Sequence, residues 1–318
     1  MHSKAFVAVL LAASAAASPI HPRQDYFIGL VQLLNQQGLT TLGGVLSQFA
    51  GTPQGQQIAG ALPNGNYTVF APTNAALDPV VPTLGNDTGT LGAILSYHIA
   101  NGSFPVSSIA PARSHSIAPT LLTNETYVNL GGSPQVQVLE QTPDGNGVLV
   151  RRTTGNATVT STTTYQNLIV HVINSILTPP GDLKAVLSTS LVGRAPGGFT
   201  QLGGALQKVG ELDTLNNAAS ITVFAPIDSA FEAINQTVAG LSDDQLKSVL
   251  QNHVVQGVVY STQLPSTPNA TAASGAQLDF AIQDGVAYVT HNQTRARILR
   301  SDVATKNGVV HVIDSVLA

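Results

Sequence analysis

The sequence predicts an α+β fold built twice in tandem, each copy a strand-rich β part with a helical part packed against it. Three observations carry that prediction. Tyr67-Thr68-Val69-Phe70-Ala71-Pro72-Thr73-Asn74-Ala75-Ala76-Leu77 returns as Ile221-Thr222-Val223-Phe224-Ala225-Pro226-Ile227-Asp228-Ser229-Ala230-Phe231. Both copies also end alike, in Leu168-Ile169-Val170-His171-Val172-Ile173 and Val309-Val310-His311-Val312-Ile313. Within each copy, helix-period segments precede segments that alternate with period two, the order of an α+β domain.

Taken in order, Met1-His2-Ser3-Lys4 and the apolar run Ala5 to Ala17 read as a secretory signal peptide, residues 1–17, cut after Ala17. Residues 18–25 then form an N-terminal extension. From Tyr26 to Gln37, Phe27, Leu30, Val31 and Leu34 recur at the spacing of one helical face. The glycine pairs in Leu42-Gly43-Gly44 and Leu202-Gly203-Gly204 are expected to permit close backbone packing. Each repeated stretch is a buried strand ended by a proline that cannot donate to a ladder. Thr73 or Asn74, and Asp228 or Ser229, are then placed to cap a short helix. Ser242-Asp243-Asp244-Gln245 has the form of a capping box, so the two acids read as first-turn charges rather than a catalytic pair. Asp144-Gly145-Asn146-Gly147 and Asp284-Gly285 are hairpin turns between alternating runs.

Val69 to His171 spans 102 residues and Val223 to His311 spans 88, so the first copy carries an extra loop or hairpin. The excess is expected within residues 104–166, where Thr153, Thr154 and Thr158 to Thr164 suggest an exposed, edge-like extension. Thr178-Pro179-Pro180-Gly181 is a short, stiff connection. Leu183 to Leu191 reads as the opening helix of the second copy, followed by a loose loop from Gly193 to Gly198.

Composition excludes several classes. Zero cysteines rule out disulfides, thiol nucleophiles and thiolate metal sites. Charged residues are only 9% and the formal net charge is -4, without a basic cluster, which disfavours nucleic acid and anionic lipid. No other run approaches the roughly 20 apolar residues of a membrane span, so no membrane insertion is expected. Sequons stand at Asn66, Asn86, Asn101, Asn124, Asn156, Asn235, Asn269 and Asn292. Asn66 abuts the first repeated strand and is the least expected of them to carry sugar; the other seven predict a glycoprotein.

The repeated strand and the end strand resemble the two signature boxes of fasciclin domains. Between them, Leu95-Ser96-Tyr97-His98-Ile99 answers Leu250-Gln251-Asn252-His253-Val254, at the place of the family's Tyr-His pair. The resemblance covers nearly all the chain beyond its N-terminus. It implies two fasciclin-like domains, 26–178 and 183–318, joined by a linker at 179–182, in a secreted adhesion or cell-wall/matrix-associated protein. Phe70, Pro72, His171, Phe224, Pro226, His253 and His311 are then structural motif residues, and no cofactor is implied. In animal members integrin recognition is assigned to the Tyr-His region and to an Asp-Ile pair before the end box. The matching positions make Tyr97, His98, Asp302 and Val303 the candidate interaction residues. Asn252 stands where Tyr is expected, Val303 where Ile is, and the first domain lacks the acidic residue. Those departures weigh against an integrin and leave an extracellular protein or a cell-wall or matrix glycan as the expected partner.

His171 and His311 invite a metal or catalytic reading, but each lacks a second ligand at a suitable spacing and reads as a buried, hydrogen-bonded histidine. No nucleophile elbow, zinc helix or phosphate loop is present, so neither catalytic nor metal residues are assigned and the chain is read as a non-enzyme. Two alternatives stay open. One is a carbohydrate- or small-ligand-binding protein using a groove between sheet and helices, against which stands the absence of Trp. The other is a secreted hydrolase on the same scaffold.

Overall fold

The computed structural model describes residues 22–84, 87–189 and 198–318. The predicted signal peptide, residues 18–21 of the extension, Asn86 and residues 193–197 of the expected loop lie outside these.

Each domain carries one seven-stranded sheet. In the first the strands are β1 (Tyr67–Pro72), β2 (Ile99–Asn101), β3 (Ser116–Pro119), β4 (Val136–Gln141), β5 (Val148–Arg151), β6 (Asn156–Tyr165) and β7 (Leu168–Ile173). The second repeats them as β8 (Ile221–Pro226), β9 (Val254–Gln256), β10 (Asn269–Thr271), β11 (Gln277–Gln283), β12 (Val286–His291), β13 (Thr294–Thr305) and β14 (Gly308–Ile313). The order β2-β1-β7-β6-β5-β4-β3 is matched, strand for strand, by β9-β8-β14-β13-β12-β11-β10. The repeated strand and the end strand are parallel neighbours, β1 with β7 and β8 with β14; the other pairs are antiparallel. Single bridges, Ala100 to Thr120 and Val255 to Ala272, join the two edges, so each sheet curls into a barrel-like body.

Period two explains why the signature runs are apolar throughout. Val69, Ala71, Val170 and Val172 face one core, shared with the helices. Phe70 and Ile173 face the other, inside the curled sheet. A strand buried on both faces has no solvent side to make polar. The second domain divides its strands in the same way, with Val223, Ala225, Val310 and Val312 toward the helices and Phe224 and Ile313 toward the barrel.

The helical part covers one face. The opening helix, Pro22–Gln36, buries Tyr26, Leu30 and Leu34, with Phe27 and Val31 half-buried, so its inner face is turned slightly from the one the spacing suggested. Both glycine pairs lie inside helices, Thr40–Phe49 and Thr200–Lys208. Only Gly43 is closely approached: a Cβ there would lie 2.4 Å from Asn35 Oδ1, whereas Gly44, Gly203 and Gly204 have open space. Ser242 and Gln245 form the capping box of helix Asp243–Gln251.

One detail differs from expectation, and one is settled in favour of a loop. The Asn74 and Asp228 side chains leave their own helices uncapped and accept instead from Thr41 N and Gln201 N, in the first turns of the neighbouring helices. The first domain has no extra hairpin; β6 pairs with β5 only over Asn156 to Thr158 and with β7 from Val159 to Tyr165, so its threonine-rich part is an exposed, edge-like extension, as the sequence suggested. Most of the added length lies between β3 and β4, residues 120–135, where the second domain has only 272–276.

Candidate functional site

The repeated histidines are staples. His98 follows helix Thr88–Tyr97; its Nδ1–H donates to Ile94 O at 2.7 Å and its Nε2 accepts from Leu177 N at 2.9 Å, tying the helix end to the chain leaving β7. His253 does the same with Val249 O at 2.8 Å and Leu317 N at 2.9 Å. Burial, only partly opposed by those carbonyls, pushes both imidazoles down to about 4. His171 and His311, each 0% exposed, stand beside Phe70 and Phe224 with ring centroids 5.6 and 5.4 Å apart. Their Nε2 groups donate to Phe104 O and Val259 O, both at 2.8 Å, and burial lowers both pKa values. The remaining nitrogens accept, from the Thr162 hydroxyl at 2.8 Å and from Asp302 N at 3.4 Å.

The four candidate interaction residues are all buried, and two of them, Tyr97 and Asp302, line a cavity at the junction of the domains. Tyr97 and His98 are 5% and 4% exposed, Asp302 and Val303 3% and 2%. Tyr97 donates to Val136 O, and Val303 packs in the second domain's helix-side core. Asp302 sits at φ +58, within the register shift in β13 that separates Arg300 from Val303. This left-handed backbone turns its carboxylate toward the first domain. Its oxygens accept from Ser261 N at 2.7 Å, from the Ser261 hydroxyl and from His115 Nδ1 at 2.6 Å. Burial acts to raise its carboxyl, but those bonds and the nearby imidazoles outweigh it and leave the pKa lowered.

His115 belongs to the first domain, so Asp302 is part of a seam between the two sheets. The added segment 120–135 closes that seam. Asn129 N donates to Lys306 O at 2.7 Å, Gln135 Nε2 to Thr305 O at 3.0 Å, and Ser220 N returns a bond to Asn129 O at 3.1 Å. Arg300 reaches across to the carbonyls of Arg152 and Thr153. Glu140 accepts from Arg113 N at 2.6 Å and pairs with Arg151 Nε at 3.4 Å. Two cavities flank these groups. One, of about 210 Å³, touches Arg151, Arg152, Arg300 and the connection Thr178–Gly181. The other, of about 620 Å³, opens beside His115, Glu140 and Ser261. By contrast, the space between helices and sheet in the first domain is apolar and only about 50 Å³.

Comparison with known proteins identifies the repeated unit, for the fasciclin domain matches residues 44–179 and again 197–318. The chain belongs to the fasciclin family. A fasciclin-like arabinogalactan protein of Arthroderma benhamiae is 29% identical over 261 residues, 79% of this chain and 58% of that protein. The chain thus spans little more than half of that relative. The fasciclin-like arabinogalactan protein elcF of Phaeosphaeria nodorum is 27% identical over 290 residues, 88% of this chain and 84% of its own. A solved domain pair from the insect cell adhesion molecule Fasciclin I is similar over 89% of this chain and 98% of its own, with 18% identity and a TM-score of 0.42.

The two fasciclin domains share their staples and differ at the seam. Asn252, in the place of Tyr97, donates to Leu317 O at 2.9 Å and accepts from Ser274 Oγ at 2.6 Å, so the replacement keeps a buried anchor. Asn167 and Asn307, each four residues before its end-box histidine, both donate to two carbonyls and hold the β6–β7 and β13–β14 turns. Their common offset was a usable signal that the repeat alignment passes over. The seam residues His115, Glu140, Arg151, Arg152, Ser261 and Arg300 left a fainter one: three arginines inside β-patterned runs, at 151, 152 and 300. Among the described residues no group of three or more His, Asp or Glu side chains is placed to hold a metal, and no helix is long and apolar enough to cross a membrane.

Proposed function

We propose that this protein is a secreted, non-enzymatic glycoprotein of the cell wall or extracellular matrix that adheres through the outer surface of its two fasciclin domains. The observation that carries this reading is the state of the repeated histidines. All four are buried and hydrogen-bonded at both ring nitrogens, so the residues the domains share serve folding. Recognition then belongs to the exposed surface, whose contacts two linked domains multiply. Similarity to fungal fasciclin-like arabinogalactan proteins over most of the chain supports the cell-wall setting. Exposed Asn101, Asn124, Asn235, Asn269 and Asn292 are the proposed glycan acceptors; Asn156 is half-buried at the start of β6 and is a poorer one.

The test is a binding screen of the glycosylated protein against cell-wall polysaccharides, matrix proteins and intact cells, repeated after enzymatic removal of N-glycans. Saturable binding that survives deglycosylation supports adhesion by the protein surface. Binding that disappears with the glycans, or none to any of the three, overturns it.

A further inference from the structure

The two sheets differ along one strand edge. In β6, pairing with β5 ends at Thr158, and from Val159 to Tyr165 the strand alongside, among the described residues, is β7 alone. In β13, pairing with β12 likewise ends at Arg297, and from Ile298 to Thr305 the strand alongside is β14 alone. An antiparallel strand paired on one side aims the N–H and C=O of about every second residue the other way. Each domain therefore has one stretch of strand with a second edge that no strand of its own sheet fills.

In the second domain the first domain covers that edge. Thr305 O accepts from Gln135 Nε2 at 3.0 Å, Lys306 O, just past the strand, accepts from Asn129 N at 2.7 Å, and the Asp302 carboxylate accepts from His115. None of residues 298–305 is exposed. In the first domain the same edge is open: Thr160, Ser161, Thr162 and Thr164 are all exposed. It is also the straighter of the two. Both strands carry a register shift at the start of the stretch, but the second shift, which holds Asp302 in β13, has no counterpart in β6, where Ser161 to Tyr165 pair with β7 without a break. Natural sheet edges are guarded by charges, prolines or bulges. From Thr153 to Gln166 there is neither a charged residue nor a proline.

We propose that the open edge of β6 is a self-association site, at which residues 160–165 pair antiparallel with the same stretch of a second copy of this chain. Two observations commit the edge to a second copy. A two-fold contact sets each residue near its own counterpart, so a strand without charge meets itself without repulsion, and Thr and Ser side chains opposite one another add cross-strand hydrogen bonds. The other surface that fits this edge of the fold, segment 120–135 of a first domain, is already engaged in the seam of its own chain, and the second domain has only 272–276 in its place. A stretch of this length is an ordinary strand, and main-chain bonds along it supply the affinity. The inference goes beyond the adhesive reading and does not depend on it: failure of the adhesion screen leaves it intact, and failure here leaves adhesion intact.

Sedimentation velocity of the full-length protein over a concentration series tests it. One strand edge buries little area, so a dimer with a Kd in the range of about 1 to 100 µM is expected. The double variant Ser161→Lys/Thr164→Lys changes two exposed positions and is expected to weaken the dimer at least about tenfold, with melting of the dilute protein unchanged. Ser161→Glu/Thr164→Glu is expected to do the same, and an equimolar mixture of the two variants to recover the dimer, because opposite charges then face one another across the pair. A wild-type protein that stays monomeric to roughly 100 µM, an undiminished dimer in the lysine variant, or a mixture that fails to associate overturns the proposal. Species that grow beyond the dimer overturn the two-fold pairing in favour of an open-ended contact.

Discussion

At the residue scale the histidines give the fold a pH dependence with a definite sign. His98 and His253 are neutral when folded, with pKa values of about 4 against about 6.5 for an unfolded histidine. Between those values the unfolded chain binds protons that the folded chain refuses. The stability each contributes is therefore fully present above about pH 6.5 and is lost as pH falls toward 4, to a limit of about 3 kcal/mol per residue. Urea unfolding followed from pH 7 to pH 4.5 is expected to show a falling midpoint, and His98→Gln a lower midpoint that falls less steeply with pH. Parallel curves would mean that His98 takes up its proton without unfolding. The family resemblance marks His98 as an interaction residue, whereas His171 and His311 were legible as buried, hydrogen-bonded histidines because each stands at the same offset in an apolar strand. Their tautomers were not, since Leu177 N, Leu317 N, Phe104 O and Val259 O come from distant parts of the chain.

At the scale of elements, the helices hold one another by their ends. Asn74 and Asp228 follow the signature prolines and accept from the first turns of helices Thr40–Phe49 and Thr200–Lys208. Local spacing suggested that each residue caps its own helix, because a cap is usually supplied from the preceding few positions. Tertiary packing brings a longer helix closer to the same oxygen. Asn74→Ala and Asp228→Ala are each expected to cost about 1 kcal/mol, read as a drop in the denaturation midpoint with helix content at 222 nm retained. A change below a few tenths would show water replacing the side chain at no loss. In β6 the local reading holds: residues 160–162 and 164 are exposed, and from Val159 onward the strand is paired with β7 alone.

At the scale of the molecule, the two domains are read most clearly where they are alike and least where they meet. Recurrence exposed both sheets, since each domain must bury the same cores. The seam has no second copy to compare with: His115 meets Asp302, and Gln135 meets Thr305, only once. Its largest component, residues 120–135, was visible as surplus length but not as a clasp. Gln135 is 0% exposed, and its amide donates to Thr305 O, so removing it strands a buried carbonyl. Asn129 contributes two further crossings by its backbone, which substitution leaves in place, so shortening the segment is the stronger perturbation. With the seam closed, the chain is expected to melt in one calorimetric transition. Replacing residues 120–135 by the five-residue link found at 272–276 keeps the strand order that the second domain already achieves, and is expected to split the melt into two. The second domain should retain its own transition, because its cores do not include the deleted segment. A wild-type protein that already melts in two steps, or a shortened one that still melts in one, would show that the clasp carries no coupling. The seam would then be a contact between independent bodies.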